Sequence, residues 1–268
     1  MNPLFGNGVK CVFDDFGPAA GVPVILIHGH PFNRSMWAPQ TAALTAAGYR
    51  VIVPDLRGYG DNPPTEEKTP LASFAGDLAR LLGGLGIEQA VVGGVSMGGQ
   101  IAMELRLRHP GLVRALILSD TSPVPETAEG AEFRRRTAER LLAEGMGPYA
   151  EEVIDKMLAP YNVTGQPESA ARVSAMMRAT DPRGAAAALR GRAERPDYRP
   201  VLAALPPEVP CLVLVGADDV YTPVAEAEAL RTLVPHARLA VIEGAGHLPG
   251  VEQPDAFNRE LLEFLGGL

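Results

Sequence analysis

Short runs of Val, Ile and Leu recur along the chain and alternate with longer segments in which apolar and polar residues are mixed. The short runs cover residues 22–27, 50–53, 90–94, 112–118, 211–215 and 239–242. Runs this short and apolar throughout are typical of parallel strands buried on both faces of a sheet. The mixed segments have helical length and composition and cover residues 36–47, 71–85, 100–108 and 223–234. This alternation predicts an α/β fold with a mostly parallel central sheet flanked by helices.

The sequence near each end of the chain predicts one further strand or helix. Residues 9–13 precede the parallel series and predict an antiparallel edge strand. Residues 254–265 predict a closing helix, because Pro254 suits the first turn of a helix.

The alternation stops between residues 121 and 200, where Arg, Glu, Ala and Met predominate. Helices are predicted over residues 131–143, 149–158, 169–179 and 184–193, with prolines between them. Because this stretch lies between two predicted strands, we expect residues 121–200 to form a helical lid inserted into a core of residues 1–120 and 201–268. The alternative is a helical extension that does not contact the functional site.

Composition and charge exclude several classes of protein. The 268 residues are 46% hydrophobic and carry a net charge of -8, so no basic surface for nucleic acid or an anionic membrane is expected. The apolar runs are too short to span a bilayer, and the sequence does not open with the pattern of a secretory signal. Cys11 and Cys211 lie in or beside strand-like runs and are expected to be small core residues of a reduced protein. We therefore expect a cytoplasmic protein.

A strand, a tight turn and a helix follow one another around Ser96. The run 90–94 leads into Gly94-Val95-Ser96-Met97-Gly98 and then into the helical segment 100–108. Such a turn strains the serine backbone and leaves room only for small residues at positions 94 and 98. It also places the Met97 N–H at a helix start, where negative charge is favoured. In this context Ser96 is predicted to be a nucleophile.

A serine nucleophile needs a general base that is held by an acid. His247 follows the predicted last strand in a loop bounded by glycines, where the base of a Ser, acid, His chain order is expected. Three carboxylates follow strands and could orient it: Asp120, Asp218 and Asp219. Their spacing alone does not distinguish among them.

The run 22–27 ends in His28-Gly29-His30-Pro31. A backbone N–H from this loop, opposite that of Met97, would complete an oxyanion hole for a tetrahedral intermediate. Two histidines one residue apart, without a third ligand nearby, are a weak metal signal, and we predict no metal site.

Five motifs together resemble the α/β-hydrolase fold superfamily. They lie at residues 28–31, 55–60, 94–99, 216–223 and 246–254. The sequence is most similar to small serine esterases, cofactor-free haloperoxidases and 3-oxoadipate enol-lactonases. The resemblance implies that Asp219 is the acid and that the N–H groups of His30 and Met97 are the oxyanion donors. Related haloalkane dehalogenases and epoxide hydrolases carry aspartate where this chain has Ser96, which argues against both activities.

A Ser, His, Asp arrangement predicts hydrolysis of a small carboxylic ester through an acyl-enzyme, without a cofactor. The expected partners are a small ester or lactone and water, and neither nucleic acid nor a membrane. A homo-oligomer is possible but not indicated. An apolar pocket is predicted. Its expected lining residues are Phe32, Met36, Trp37, Met97, Leu248, Met146, Tyr149, Met157, Tyr161, Met176 and Met177.

Several alternatives stay open at this point. An enol-lactone that carries carboxylates would require a cation near the pocket, and Arg34 is the basic residue of the 28–37 loop. A C–C hydrolase uses the same three residues, and perhydrolysis could be a side activity. A small-molecule receptor on the same fold belongs to a different class, because fold alone does not determine function.

Overall fold

The structure is a computed structural model that describes residues 11–64 and 66–268. Its described residues form one seven-stranded sheet in the order β1-β3-β2-β4-β5-β6-β7. The strands are β1 (Phe13–Phe16), β2 (Pro23–Ile27), β3 (Arg50–Pro54), β4 (Ala90–Val95), β5 (Val113–Ser119), β6 (Cys211–Gly216) and β7 (Arg238–Ile242). β1 pairs with β3 in antiparallel orientation, and every other neighbouring pair is parallel. The predicted α/β class with a mostly parallel sheet is confirmed.

Apolar side chains on both faces of the sheet explain why the strands lack alternation with polar residues. In β2, Ile25 and Ile27 pack into one core, whereas Val24 and Leu26 pack into the core on the opposite face. This follows from the two-residue period of a strand. Burying each such side chain contributes about 1.5–3 kcal/mol, so the central strands are strongly held between two layers of helices.

The edge strand lies later in the chain than predicted. Residues 9 and 10 fall outside the described residues, residues 11 and 12 are not strand, and β1 begins at Phe13. Asp14 and Asp15 make this strand hard to recognise in the sequence, because aspartate is disfavoured in strands. Here the Asp15 carboxylate accepts hydrogen bonds from Arg50 of β3 at 3.0 and 2.7 Å, which offsets that preference.

Helices cover both faces of the sheet. Those before β5 are α1 (Ala38–Ala46), α2 (Leu71–Gly84) and α3 (Met97–Arg108), and a short 3-10 turn over Arg34–Trp37 precedes α1. Those after β6 are α10 (Val224–Leu233), α11 (Pro249–Glu252) and α12 (Pro254–Gly266). α12 lies where the closing helix was predicted.

The residues between β5 and β6 are helical and contain no strand. They form α4 (Ala128–Glu144), α5 (Met146–Met157), α6 (Pro160–Gly165), α7 (Pro167–Ala179), α8 (Pro182–Arg192) and α9 (Arg199–Ala203). Pro160, Pro167 and Pro182 are each the first residue of a helix. Proline is well suited to that position, because its missing N–H would have no partner within the helix. We call α4 to α9 the inter-strand helices.

The parallel strands end together at one edge of the sheet. Val95 is level with Ser119, and Gly216 is level with Ile242. The segments that follow β4, β5, β6 and β7 therefore emerge side by side. Open α/β sheets bind their ligands at this edge.

Candidate active site

Ser96 lies on a strained turn between β4 and α3. Its backbone has φ 55° and ψ -117°, in a region that non-glycine residues rarely adopt. A Cβ at Gly94 would lie 2.3 Å from Gly98 backbone atoms, and a Cβ at Gly98 would lie 2.2 Å from the Ile27 carbonyl oxygen. The glycine spacing predicted from the sequence is thus a steric requirement of this turn.

Hydrogen bonds from β5 and from the segment after it fix the Ser96 backbone. The Ser96 N–H donates to the Ser119 carbonyl at 2.9 Å, and its carbonyl accepts from the Thr121 hydroxyl at 2.7 Å. A Cβ at Gly99 would lie 2.6 Å from the Thr121 side chain, so the second glycine of the pair is needed too. The strained conformation persists because its surroundings determine it.

The structure pairs His247 with Asp219. His247 Nδ1 lies 2.8 Å from Asp219 Oδ2, and both residues are buried. Asp219 also accepts hydrogen bonds from the Tyr221 N–H at 2.8 Å and from the Thr222 hydroxyl. Burial disfavours the carboxylate, but His247 and these donors outweigh it and hold the pKa of Asp219 below its ordinary value. Asp219 is therefore ionised and orients the His247 ring.

The two other candidate acids have different partners. Asp218 accepts a hydrogen bond from the Tyr161 hydroxyl at the surface. Asp120 is buried and accepts from the Gly216 N–H at 2.9 Å and from the Ser119 hydroxyl. Burial, reinforced by the Asp219 charge, raises the pKa of Asp120 well above its ordinary value. The geometry thus favours Asp219 as the partner of His247.

The loop after β2 lies directly against the nucleophile. A Cβ at Gly29 would lie 3.5 Å from Ser96 Cβ. Among the described residues, neither the His30 N–H nor the Met97 N–H donates a backbone hydrogen bond. Two free N–H groups beside a nucleophile are what an oxyanion hole requires.

The two histidines of this loop have separate roles. His28 Nδ1 lies 2.9 Å from the Gly29 carbonyl, and its Nε2 accepts from the Leu56 N–H at 3.0 Å, so both ring nitrogens are engaged by protein. His30 Nδ1 lies 2.8 Å from the Tyr59 hydroxyl, whereas the buried Nε2 has no partner in the described chain. Burial, with Arg192 as the next contribution, lowers the pKa of His30 well below its ordinary value. A neutral His30 ring is left with one free nitrogen.

Ser96, His247 and His30 line a common cavity of about 350 Å³. Tyr149 and Met157 of α5 form part of its wall, so the inter-strand helices contact the candidate site. Tyr221, which the sequence did not single out, also lines the cavity, with its ring centroid 5.0 Å from that of His247. The volume is within the usual range for a small-molecule site.

The other residues predicted to contact substrate do not line this cavity. Phe32, Met36, Trp37, Met97, Leu248, Met176 and Met177 are buried in the cores, and Met146 packs in a small apolar cluster with α4 and α8. Tyr161 is 52% exposed and is bonded to Asp218. Packing in the cores explains the apolar character of the buried residues among them.

Arg34 also lies away from the cavity wall. Its guanidinium forms ion pairs with Asp14, Asp55 and Asp61. The cations that do line the cavity are Arg134, Arg192, Arg195 and Lys156, all from the inter-strand helices or the segment between α8 and α9. Sequence reasoning missed them because arginines are frequent throughout these helices and no local motif marks the ones that face inward.

One cluster in the described chain brings together three groups capable of holding a metal ion. The ligand atoms of Asp120, Asp219 and His247 lie within 4.8 Å of one another. Because His247 Nδ1 and Asp219 Oδ2 are already bonded to each other, this cluster has the arrangement of a hydrogen-bonded pair with a neighbouring acid.

A serine on a strained strand-to-helix turn, beside a buried His and Asp at the carboxyl edge of a parallel sheet, defines a hydrolase of the α/β fold. Residues 22–254 match the family model described as the alpha/beta hydrolase fold, and the chain belongs to this family. Within residues 11–64 and 66–268, no helix combines the length and the apolar character needed to cross a membrane.

Similar proteins include the types expected from the motifs. The 3-oxoadipate enol-lactonase 2 of Acinetobacter baylyi is 30% identical over 255 residues, covering 95% of this chain and 92% of the relative. The non-heme chloroperoxidase CPO-A1 of Kitasatospora aureofaciens is 30% identical over 287 residues, covering 97% of each. The structure of a thermophilic esterase from Thermogutta terrifontis, with malate bound, has a TM-score of 0.94 and 38% identity, covering 100% of this chain and 97% of the other. The predicted family resemblance is confirmed.

Proposed function

We propose that this chain hydrolyses small carboxylic esters through an acyl-enzyme formed on Ser96. The observation that carries the proposal is the His247 to Asp219 pair, whose histidine lines the same cavity as Ser96. A serine hydroxyl is a weak nucleophile by itself, and a histidine whose other nitrogen is held by a carboxylate can remove its proton.

Each residue then has one role in the reaction. Ser96 Oγ attacks the carbonyl carbon while His247 Nε2 accepts its proton, and Asp219 stabilises the resulting imidazolium. The N–H groups of His30 and Met97 donate to the oxyanion of the tetrahedral intermediate. His247 returns the proton to the leaving alcohol, and it then activates the water that releases the acid from Ser96.

Residues of the inter-strand helices line part of the cavity, and we propose that residues 121–200 act as a lid. Their lining residues include Tyr149, Val153, Met157 and Leu189. An apolar wall of this kind accommodates an acyl chain and limits access of water to the acyl-enzyme.

Lactone hydrolysis is the second candidate, because one relative is a 3-oxoadipate enol-lactonase. Ring opening requires the same nucleophile, base and oxyanion donors. The malate bound to the similar esterase is a dicarboxylate, which supports including acid-bearing compounds among the substrates tested.

The decisive experiment is steady-state hydrolysis of p-nitrophenyl esters from acetate to octanoate by the wild type and by Ser96→Ala, with an enol-lactone in parallel. We expect Ser96→Ala to lose at least about 10,000-fold in kcat while melting at the wild-type temperature. Fast lactone opening with slow esters would assign the chain to lactones. A single equivalent of product without turnover would indicate a receptor, and unchanged hydrolysis by Ser96→Ala would overturn the proposal.

A further inference from the structure

A group of arginines lines the same cavity as the candidate nucleophile. Arg134 lies on α4, Arg192 is the last residue of α8, and Arg195 follows three residues later. All three line the cavity that Ser96 lines. We call them the arginine cluster.

The carboxylates within reach do not balance the cluster. Glu126 accepts a hydrogen bond from Arg134, and it lies 3.9 Å from Arg195. Arg195 also donates to the Val124 carbonyl at 2.9 Å. Arg192 forms no ion pair with any described residue, and its Nε donates to the neutral Gln100 side chain at 3.2 Å.

The other charged groups on the cavity wall do not form an ion pair with Arg192. Glu152 is paired with Arg140 at 2.7 Å, and Glu226 and Lys156 lie on α10 and α5 without an ion pair in the described chain. Burial and the Asp219 charge raise the pKa of Asp120 well above its ordinary value, which disfavours its ionised form.

Arg192 differs in this respect from the other buried arginines of the described chain. Arg57 is held by Asp77 and Glu66, and Arg195 has Glu126 nearby. Arg192 is only 8% exposed, yet it lacks a carboxylate. A guanidinium keeps its proton in proteins, and a buried charge without a partner is costly. Burial, with Arg134 and Arg195 nearby, lowers the pKa of Arg192 well below its ordinary value.

Two further polar atoms of residues that line the cavity have no partner in the described chain. His30 Nε2 and Ser122 Oγ are buried and form no hydrogen bond within the described chain. Both residues line the cavity. Buried polar atoms without a protein partner are rare in folded proteins, and a polar group of a ligand in this cavity would give both atoms a partner.

We propose that Arg192, with Arg134 and Arg195 beside it, binds a free carboxylate of the substrate, so that the physiological substrate is a short ester or lactone that also carries an acid group. This inference deepens the proposed function and rests on Ser96 as the nucleophile. Arg192 contacts Gln100, which lies one helical turn along α3 from Ser96. Four residues of helix rise about 6 Å, a length that the chain of a short dicarboxylic acid can span.

The test compares two ethyl esters of similar length by their ethanol release. Monoethyl succinate carries a free carboxylate, and ethyl valerate is its neutral counterpart. We expect the wild type to prefer monoethyl succinate in kcat/KM. Arg192→Gln should lower the ratio of the two kcat/KM values by about 10- to 100-fold, mainly through KM, because charge-assisted hydrogen bonds are lost. Arg192→Lys should recover part of the ratio, since it keeps the charge.

Arg172→Gln is the matched control, because Arg172 is an exposed arginine of α7 that does not line the cavity. We expect it to keep the wild-type ratio. Equal kcat/KM values for the two esters in the wild type, or an unchanged ratio in Arg192→Gln, would overturn the carboxylate subsite.

A binding measurement separates this inference from the proposed function. Calorimetric titration of Ser96→Ala with succinate should detect binding that is lost in Ser96→Ala/Arg192→Gln. If no ester is hydrolysed but succinate binding depends on Arg192, the subsite stands and the proposed reaction fails. If Ser96-dependent hydrolysis of ethyl valerate is found but succinate does not bind, the reaction stands and the subsite is wrong.

Discussion

The two sides of the cavity are built in different ways. On the sheet side, Ser96, Asp219 and His247 each follow a parallel strand within five residues, and the strand register brings them together. On the helix side, Arg134 and Arg192 come from separate inter-strand helices, and packing between α4 and α8 sets their positions. The positions of the proposed catalytic groups thus depend on backbone geometry. The positions of the groups expected to select the substrate depend on side-chain packing.

The two sides also differ in charge. The sheet side contributes the acids Asp120 and Asp219, and the helix side contributes the arginine cluster. A substrate with an ester and a carboxylate fits this division, because its carboxylate would pair with the arginine cluster while its ester lies at Ser96. Substitutions on one side of the cavity test whether the other side depends on it.

The largest effect is expected from the sheet side. Asp219→Asn should lower kcat by about 10,000-fold, because an amide favours the wrong tautomer of His247 and cannot stabilise its positive charge. The measurement is kcat for p-nitrophenyl acetate at neutral pH. Asp120→Asn and Asp218→Asn are the controls, since neither carboxylate accepts a hydrogen bond from His247. A greater loss in Asp120→Asn than in Asp219→Asn would show that Asp120 is the acid.

Glu252 joins the two sides of the cavity through hydrogen bonds. One of its oxygens accepts from the Gly246 N–H at 2.8 Å, and the other accepts from the Ala159 N–H at 2.7 Å and from Asn162 Nδ2 at 2.8 Å. The first partner precedes His247, and the others lie at the start of α6. A glutamine has only one acceptor oxygen, so one of these connections is lost in Glu252→Gln.

Glu252→Gln should lower kcat for p-nitrophenyl acetate by about 10- to 100-fold, since a displacement of about 1 Å in a catalytic group has effects of this size. Glu243→Gln is the matched control, because Glu243 is an exposed residue of the same segment. Wild-type kcat in Glu252→Gln would mean that the position of His247 does not depend on the inter-strand helices.

The same contrast explains how much could be predicted from the sequence. Gly94 and Gly98 are required by the turn around Ser96, and the steric requirement leaves a motif in the sequence. The strands were recognisable because both of their faces are apolar. Arg192 has no such signature, because the contacts that turn it toward the cavity come from residues far away in the chain, such as Gln100. Trp37 and Leu248 were predicted to line the pocket, but they pack in a core. An apolar residue near the site is as well suited to core packing as to substrate contact.

The smallest effect is expected in the pH dependence of stability, where Asp120 and Asp219 should behave oppositely. The folded-state pKa of Asp120 is raised by burial and by Asp219, so its contribution to stability is complete below the unfolded pKa and is lost as pH rises through the folded pKa. Burial alone would raise the pKa of Asp219, but His247 lowers it. The contribution of Asp219 to stability is therefore complete above the unfolded pKa and is lost as pH falls through the folded pKa.

Urea unfolding of the wild type, Asp120→Asn and Asp219→Asn from about pH 2, well below the unfolded pKa of aspartate, to neutrality measures both differences. The free energy of unfolding of the wild type relative to Asp120→Asn should fall as pH rises, and that relative to Asp219→Asn should fall as pH decreases. A difference between the wild type and Asp120→Asn that is constant over this range would contradict the shift assigned to Asp120. In that case the sheet side would carry two negative charges at neutral pH, and it would repel the carboxylate that the arginine cluster is expected to bind.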